Sequence, residues 1–157
     1  MKVIFLDIDG VLNGDHTTDR APSGVIGIED EKVALLADIV RQTGAVIVLT
    51  SSWKPEWNQD ASLCTNDGLY INEKFAKAGL SVLDKTKDGV IDRGAGIRTW
   101  LRKHSDVDGW AAIDDDIFAD FRTFGVMPHL VKTKWQDHGL KKEHVSLAIE
   151  ILNTKGL

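Results

Sequence analysis

The chain opens on a run that reads as a buried β-strand and ends in acid: Val3-Ile4-Phe5-Leu6-Asp7-Ile8-Asp9-Gly10-Val11-Leu12. Acidic residues are depleted in strands. An ionised carboxylate taken out of water without compensation costs several kcal/mol or more, on the order of tens in the limiting case. Two of them at the end of one apolar run need a partner, and a bound cation is the simplest candidate. The feature points to a metal-dependent enzyme.

The rest of the composition is compatible with that. At 157 residues the chain is expected to form one domain spanning 1–157, large enough to bury roughly two-thirds of its unfolded surface. Hydrophobic residues are 43% and charged residues 27%, which places the chain among globular proteins and not disordered tails. A net charge of −5 argues against a surface that grips duplex nucleic acid, though not against a local basic patch. The single cysteine, Cys64, excludes an intramolecular disulfide and a cysteine-based zinc site. No apolar run approaches the roughly 18 residues of a membrane span, and Asp7 cuts the first one short. The expected setting is therefore cytoplasmic, with no membrane partner.

Short apolar runs alternate with helical patterns. The runs are Val3–Leu6, Ala45–Leu49, Leu80–Leu83, Trp110–Ile113 and, more weakly, His129–Val131. Helical spacing is carried by Glu29–Gln42, stopped by Gly44, then by Ile97–Lys103 and by Lys141–Asn153, with a short helix expected over Ile117–Phe124. Strands alternating with helices predict an α/β fold: a three-layer, Rossmann-like parallel sheet with helices on both faces. In such a sheet ligands bind beyond the carboxyl ends of the strands. The residues just past each run are therefore informative: Asp7-Ile8-Asp9-Gly10, then Thr50-Ser51-Ser52-Trp53-Lys54, then Asp114-Asp115-Asp116. Carboxylates with few imidazoles select a hard cation such as Mg²⁺. Hydroxyls and backbone N–H groups at a strand-to-helix turn suit phosphate oxygens. The combination reads as a magnesium site built for a phosphoryl group.

The order D-x-D-G-V after the first strand, T-S after the second and D-D after a later one resembles the haloacid dehalogenase (HAD) superfamily. More narrowly, Phe5 to Asn13 together with Thr50 to Lys54 looks like the small capless HAD domains associated with RNA-repair proteins. The resemblance covers the chain in element order, with specific matches in three short motifs. It implies a Mg²⁺-dependent phosphomonoester hydrolase, or phosphatase, working through an aspartyl-phosphate. Asp7 would be the nucleophile. Asp9 would be general acid and then base, with its backbone carbonyl helping to hold Mg²⁺. Asp114 or Asp115 would complete the metal site, and Thr50 with the N–H of Ser51 would bind the phosphoryl group. The superfamily's basic residue, usually Lys, is best matched by Arg93, with Lys85 and Lys87 as competitors. Arg is chemically acceptable there because it binds phosphate in a bidentate way.

Plainer readings exist for each motif. Asp9-Gly10 is a common hairpin dipeptide. Thr50-Ser51-Ser52 also suits a helix cap with Pro55 in the first turn, and Asp114-Asp115-Asp116 suits a solvated acidic turn. Trp53 fits packing better than a stacking platform for a nucleotide. Asp84 to Asp92 resembles the front of a calcium-binding loop, but Ala95 stands where the bidentate Glu belongs. The histidines, His16, His104, His129, His138 and His144, lack zinc-ligand spacing, and His16 alone is suspected of touching substrate.

HAD enzymes acting on small metabolites usually carry an inserted cap. Here Asn13–Asp30 is a polar loop, and Lys54–Asp92 is taken up by core helix and strand, so a nearly capless, open site is expected. By family analogy open sites serve macromolecular ends or compact phosphates. The expected partner is a phosphorylated substrate, either a nucleic-acid or nucleotide end or a small phosphoester. Lys132, Lys134, Lys141 and Lys142 offer a local basic patch, and Arg98, Arg102 and Lys103 a second. A phosphomutase or phosphotransferase would need an acceptor pocket. A non-catalytic domain binding Mg²⁺ and phosphate is disfavoured by the presence of both Asp7 and Asp9.

Overall fold

A strand with both faces buried must lie inside a sheet covered on both sides, and the first strand obeys this. The computed structural model describes residues 1–87 and 91–155. In it β1 (Lys2–Leu6) has Val3, Ile4, Phe5 and Leu6 fully buried. It is the middle of five strands, with β2 (Val46–Leu49), β3 (Val82–Lys85), β4 (Gly109–Asp114) and β5 (Leu130–Lys132). The spatial order is β3-β2-β1-β4-β5, and every pairing is parallel.

Alternation along β1 sorts the core into two layers. Ile4 and Leu6 join Ile47, Leu49, Ala111 and Ile113 in the layer containing buried residues of helices α1 (Asp30–Thr43), α2 (Asn66–Lys77) and α4 (Lys142–Asn153). Val3 and Phe5 join Val48 and Ala112 on the opposite face, against α3 (Arg93–Arg102) and the segment carrying Phe121 and Val126. Trp100 and Trp110 meet Phe5 edge-on, with ring centroids 5.5 and 5.7 Å away. Burial of Phe5 contributes about 1.5–3 kcal/mol, and each edge contact adds about 0.5–1.5 kcal/mol. That anchors β1 two residues before Asp7.

Chain direction decides which helix covers which face. From β1 to β3 the chain moves one way across the sheet, and its crossovers carry α1 and α2. It then returns past β1 to β4 and β5, and right-handed crossovers in the opposite direction place α3 and residues 115–129 on the other face. This reversal leaves β1 between β2 and β4, the switch point where an open sheet binds ligands. Leu6 pairs with both Leu49 and Ile113, so Asp7, Thr50 and Asp114 leave the sheet side by side.

Most expected boundaries shift by one or two residues; two elements differ more. Ile117–Phe124 is a succession of turns and not a helix. The helix expected at Ile97 begins at Arg93. One residue links both findings: Asp120 accepts hydrogen bonds from the backbone N–H groups of Gly94 and Ala95 at 3.0 and 2.9 Å. A cap supplied from outside the helix lets α3 start early, and it holds the 117–124 segment in the turns that aim Asp120 at it. Among the smaller shifts, β3 begins two residues late because the Leu80 N–H still bonds to Phe75 at the exit of α2.

Between β1 and α1 the chain makes turns and one isolated antiparallel bridge, Arg20 with Ile26. Neither this loop nor the one after β2, among the described residues, carries an inserted cap of helices or sheet. No helix among the described residues is long and apolar enough to cross a membrane.

Candidate functional site

Three carboxylates converge at the switch point. Oxygens of Asp7, Asp114 and Asp115 lie within 4.8 Å of one another, with Asp7 and Asp114 buried and Asp115 half-buried. Arg93, in the first turn of α3, clasps two of them: its Nη1 is 2.7 Å from Asp114 Oδ2 and 3.3 Å from Asp7 Oδ1. Its guanidinium also lies over the Phe118 ring at 4.2 Å. One guanidinium against three carboxylates leaves a surplus of negative charge in a largely dry place. Burial accordingly pushes the Asp7 carboxyl well above its ordinary range, Asp114 pushes it further, and Arg93 pulls it back. Asp114 is raised as well, chiefly by burial, with Arg93 opposing.

This cluster fits a hard divalent cation. The donors are all oxygens, and the uncompensated charge is of the sign a cation removes. Asp7, Asp114 and Asp115 are the residues that would hold it. Asp116 is turned away: its backbone N–H supports Asp114 Oδ1 at 3.0 Å, while its own carboxylate accepts from Ile117. Gly10 makes the packing possible. Its backbone is left-handed, at φ 81°, and a Cβ there would stand 2.1 Å from Asp115 Oδ2, so a side chain would displace the carboxylate.

Asp9 is held apart from the cluster. Its Oδ1 accepts from Asn13 Nδ2 at 3.0 Å and its Oδ2 from the indole N–H of Trp53 at 3.2 Å. Asn13 is fully buried; it also accepts from the Gly10 N–H at 2.9 Å and donates to the Gly27 carbonyl at 2.9 Å. Trp53 is buried and stacked 6.5 Å from Tyr70. These two residues fix the aim of Asp9, a role that sequence patterns assign to neither. A side chain four residues after an acid, inside a turn, was the available signal for Asn13.

Thr50 and Ser51 are both buried at the end of β2; the Thr50 N–H bonds to Leu6 and the Ser51 hydroxyl accepts from the Trp53 N–H. Of the competing basic residues, Lys85 reaches the carbonyls of Lys54 and Trp57 at 2.7 and 2.5 Å, and Lys87 is exposed. Arg93 is the one that touches the acids. The Asp84–Asp92 stretch falls partly outside the described residues; Asp84 itself accepts from Trp100 Nε1. The basic patches are partly engaged in structure. Arg98 donates to Phe124 and lies over Trp110, Lys132 donates to Thr133, and Lys141 pairs with Asp137. His16 is exposed and faces Asp15 and His138.

Asp9 opens onto a cleft of about 450 Å³. Val25, Ile26, Trp53 and Trp135 give it apolar and aromatic walls, and Ser52, Glu56 and Asp67 give it a polar rim without a Lys or Arg. The segment 20–28, which carries Val25 and Ile26, is fastened to α2: Asp67 accepts from the Ser23 N–H and hydroxyl at 3.0 and 2.6 Å, and Tyr70 accepts from the Ile28 N–H.

Residues 3–145 match the family model described as the HAD domain in Swiss Army Knife RNA repair proteins. No curated protein matches the chain.

Proposed function

Because the chain belongs to this HAD family, we propose that it is a Mg²⁺-dependent phosphomonoester hydrolase acting through an aspartyl-phosphate. The observation that carries the proposal is the division of labour at the switch point. Asp7, Asp114 and Asp115 form a buried cluster clasped by Arg93, while Asp9, two residues from Asp7, is turned toward an open cleft.

Asp7 attacks phosphorus with a carboxylate oxygen as the bond to the leaving oxygen breaks, and Asp9 gives that oxygen its proton. Asp9, now ionised, takes a proton from a water whose oxygen attacks the same phosphorus. The bond to Asp7 breaks, inorganic phosphate leaves and Asp9 is again protonated. Asn13 and Trp53 hold Asp9 for both proton transfers. Arg93 favours the ionised form of Asp7 and compensates charge beside it, and Thr50 with the Ser51 N–H receives phosphoryl oxygens. Bound Mg²⁺ supplies charge neutralisation and alignment of the phosphoryl group.

The leaving group lies on the Asp9 side, in the cleft. Three carboxylates and no Lys or Arg among its lining residues disfavour a polyanionic strand there, while Trp135 and Val25 favour a compact, partly apolar group. A nucleotide or small phosphoester is therefore preferred over the end of a long nucleic acid, in a cytoplasmic setting. The test is hydrolysis of an aryl phosphate, a nucleoside monophosphate and terminally phosphorylated oligonucleotides, with Mg²⁺ or EDTA. Metal-dependent turnover abolished by Asp7→Ala is expected, with the two small esters leading. Activity surviving Asp7→Ala would refute the mechanism, and preference for oligonucleotides would refute the substrate assignment.

A further inference from the structure

We propose that Asp15, His16 and His138 form a second metal site, chemically distinct from the acidic cluster and suited to Zn²⁺. The histidines sit far apart in sequence, but the fold brings their rings to 5.4 Å. One ligand atom from each of the three residues lies within 4.8 Å of the other two. Asp15 Oδ2 is 3.7 Å from His16 Nε2, and Asp15 Oδ1 is 3.9 Å from His138 Nδ1. Those separations are too long for hydrogen bonds. The three groups face one another without bonding.

His138 supplies the independent observation. Its Nε2 lies 3.1 Å from Glu29 Oε2, a carboxylate oxygen that also accepts from Thr17 Oγ1 at 3.0 Å. A neutral His138 ring with its hydrogen on Nε2, facing Glu29, presents its lone pair at Nδ1. Nδ1 is buried and has no hydrogen-bond partner. It lies 3.9 Å from Asp15 Oδ1. A ring nitrogen held by a carboxylate while the other presents its lone pair is the usual posture of a metal-bound histidine. Leaving that nitrogen unsatisfied carries a desolvation penalty that a bound cation would remove.

The two loops are already docked. His138 takes a left-handed backbone at φ 62°, alone among the described non-glycine residues. Gly14 lets the first loop close on it, since a Cβ at Gly14 would stand 2.6 Å from His138 Cα. The Asp15 N–H bonds to the Trp135 carbonyl. The other histidines are engaged elsewhere: His104 with Trp100, His129 with Trp110, and His144 with the Lys141 N–H. Two imidazoles and one carboxylate, with the fourth position open to water, match Zn²⁺ or Co²⁺ and mismatch Mg²⁺. The ion would pin the loop after Asn13 to the segment carrying Trp135, fixing one wall of the cleft.

The test is calorimetric titration of Zn²⁺ into the metal-stripped full chain in excess Mg²⁺, with Co²⁺ absorption as a second readout. Wild type should bind one Zn²⁺, and Asp114→Asn should bind it equally well. His138→Asn, chosen because Asn tolerates the left-handed backbone, and the exposed His16→Ala should each weaken binding at least tenfold. Glu29→Gln should weaken it about 10–100-fold. No binding by wild type, binding untouched by both His variants, or binding lost in Asp114→Asn would each overturn the proposal. None of these readouts depends on turnover, so they stand or fall separately from the phosphatase reading.

Discussion

Replacing Arg93 by Met probes the charge balance of the acidic cluster most directly. Met keeps an apolar shaft over Phe118 and removes the guanidinium 2.7 Å from Asp114 and 3.3 Å from Asp7. At an effective dielectric of about 20 those contacts represent about 6 and 5 kcal/mol of gross attraction. Much of that is offset by no longer having to desolvate the guanidinium, so the net loss should be about 3–5 kcal/mol, the range for breaking a buried pair. The loss should depend on pH. A carboxylate raised above its unfolded pKa binds more protons in the folded state than in the unfolded one. Its penalty starts as pH climbs past about 3.8 and is complete above the raised folded value. Without Arg93 both Asp7 and Asp114 rise further. Urea unfolding in EDTA should thus show a larger loss at pH 7.5 than at pH 5, where protonation relieves the repulsion. Mg²⁺ at pH 7.5 should restore stability, more in the variant than in wild type. An equal loss at both pH values would sink the electrostatic account and leave only lost packing.

The same contacts set three further outcomes. Gly10→Ala should cost about 1–2 kcal/mol through its left-handed backbone and should weaken Mg²⁺ binding by displacing Asp115, both readable by thermal unfolding with and without Mg²⁺. Trp53→Phe keeps a ring against Tyr70 but frees Asp9 Oδ2; a fall of about fivefold in kcat with little change in KM is expected, from one hydrogen bond worth about 1 kcal/mol. Asp120→Ala removes the cap of α3 and should lower unfolding free energy by about 1 kcal/mol; an unchanged urea midpoint would contradict the capping role.

Much of the architecture was legible because burial leaves a plain trace. The unbroken apolar run ending at Leu6 required a central strand, and the acids after it required an edge where other strands could answer them. Motif order singled out Arg93 as the best match for the basic residue but left Lys85 and Lys87 in competition, since the position of Arg93 depends on where α3 starts. That start is set by Asp120, a residue from the next connection, and no local pattern around Arg93 announces it. The start of α2 was obscured for a similar reason: Asn66, Asp67 and Gly68 look like a loop, and Thr65 caps them only weakly at 3.4 Å. The pairing of His16 with His138 was invisible to any spacing rule, because it depends on the loops after β1 and β5 meeting above the sheet.

The hydrogen bond from Trp53 to Asp9 also makes the molecule an optical instrument for its own chemistry. Trp53 is buried and lines the cleft, with its indole N–H on the carboxylate proposed to shuttle the proton. Its emission therefore samples both the ionisation of Asp9 and the filling of the space beside it. Phe at the other four tryptophan positions would isolate that signal, so that occupancy and proton state could be followed in real time without a label.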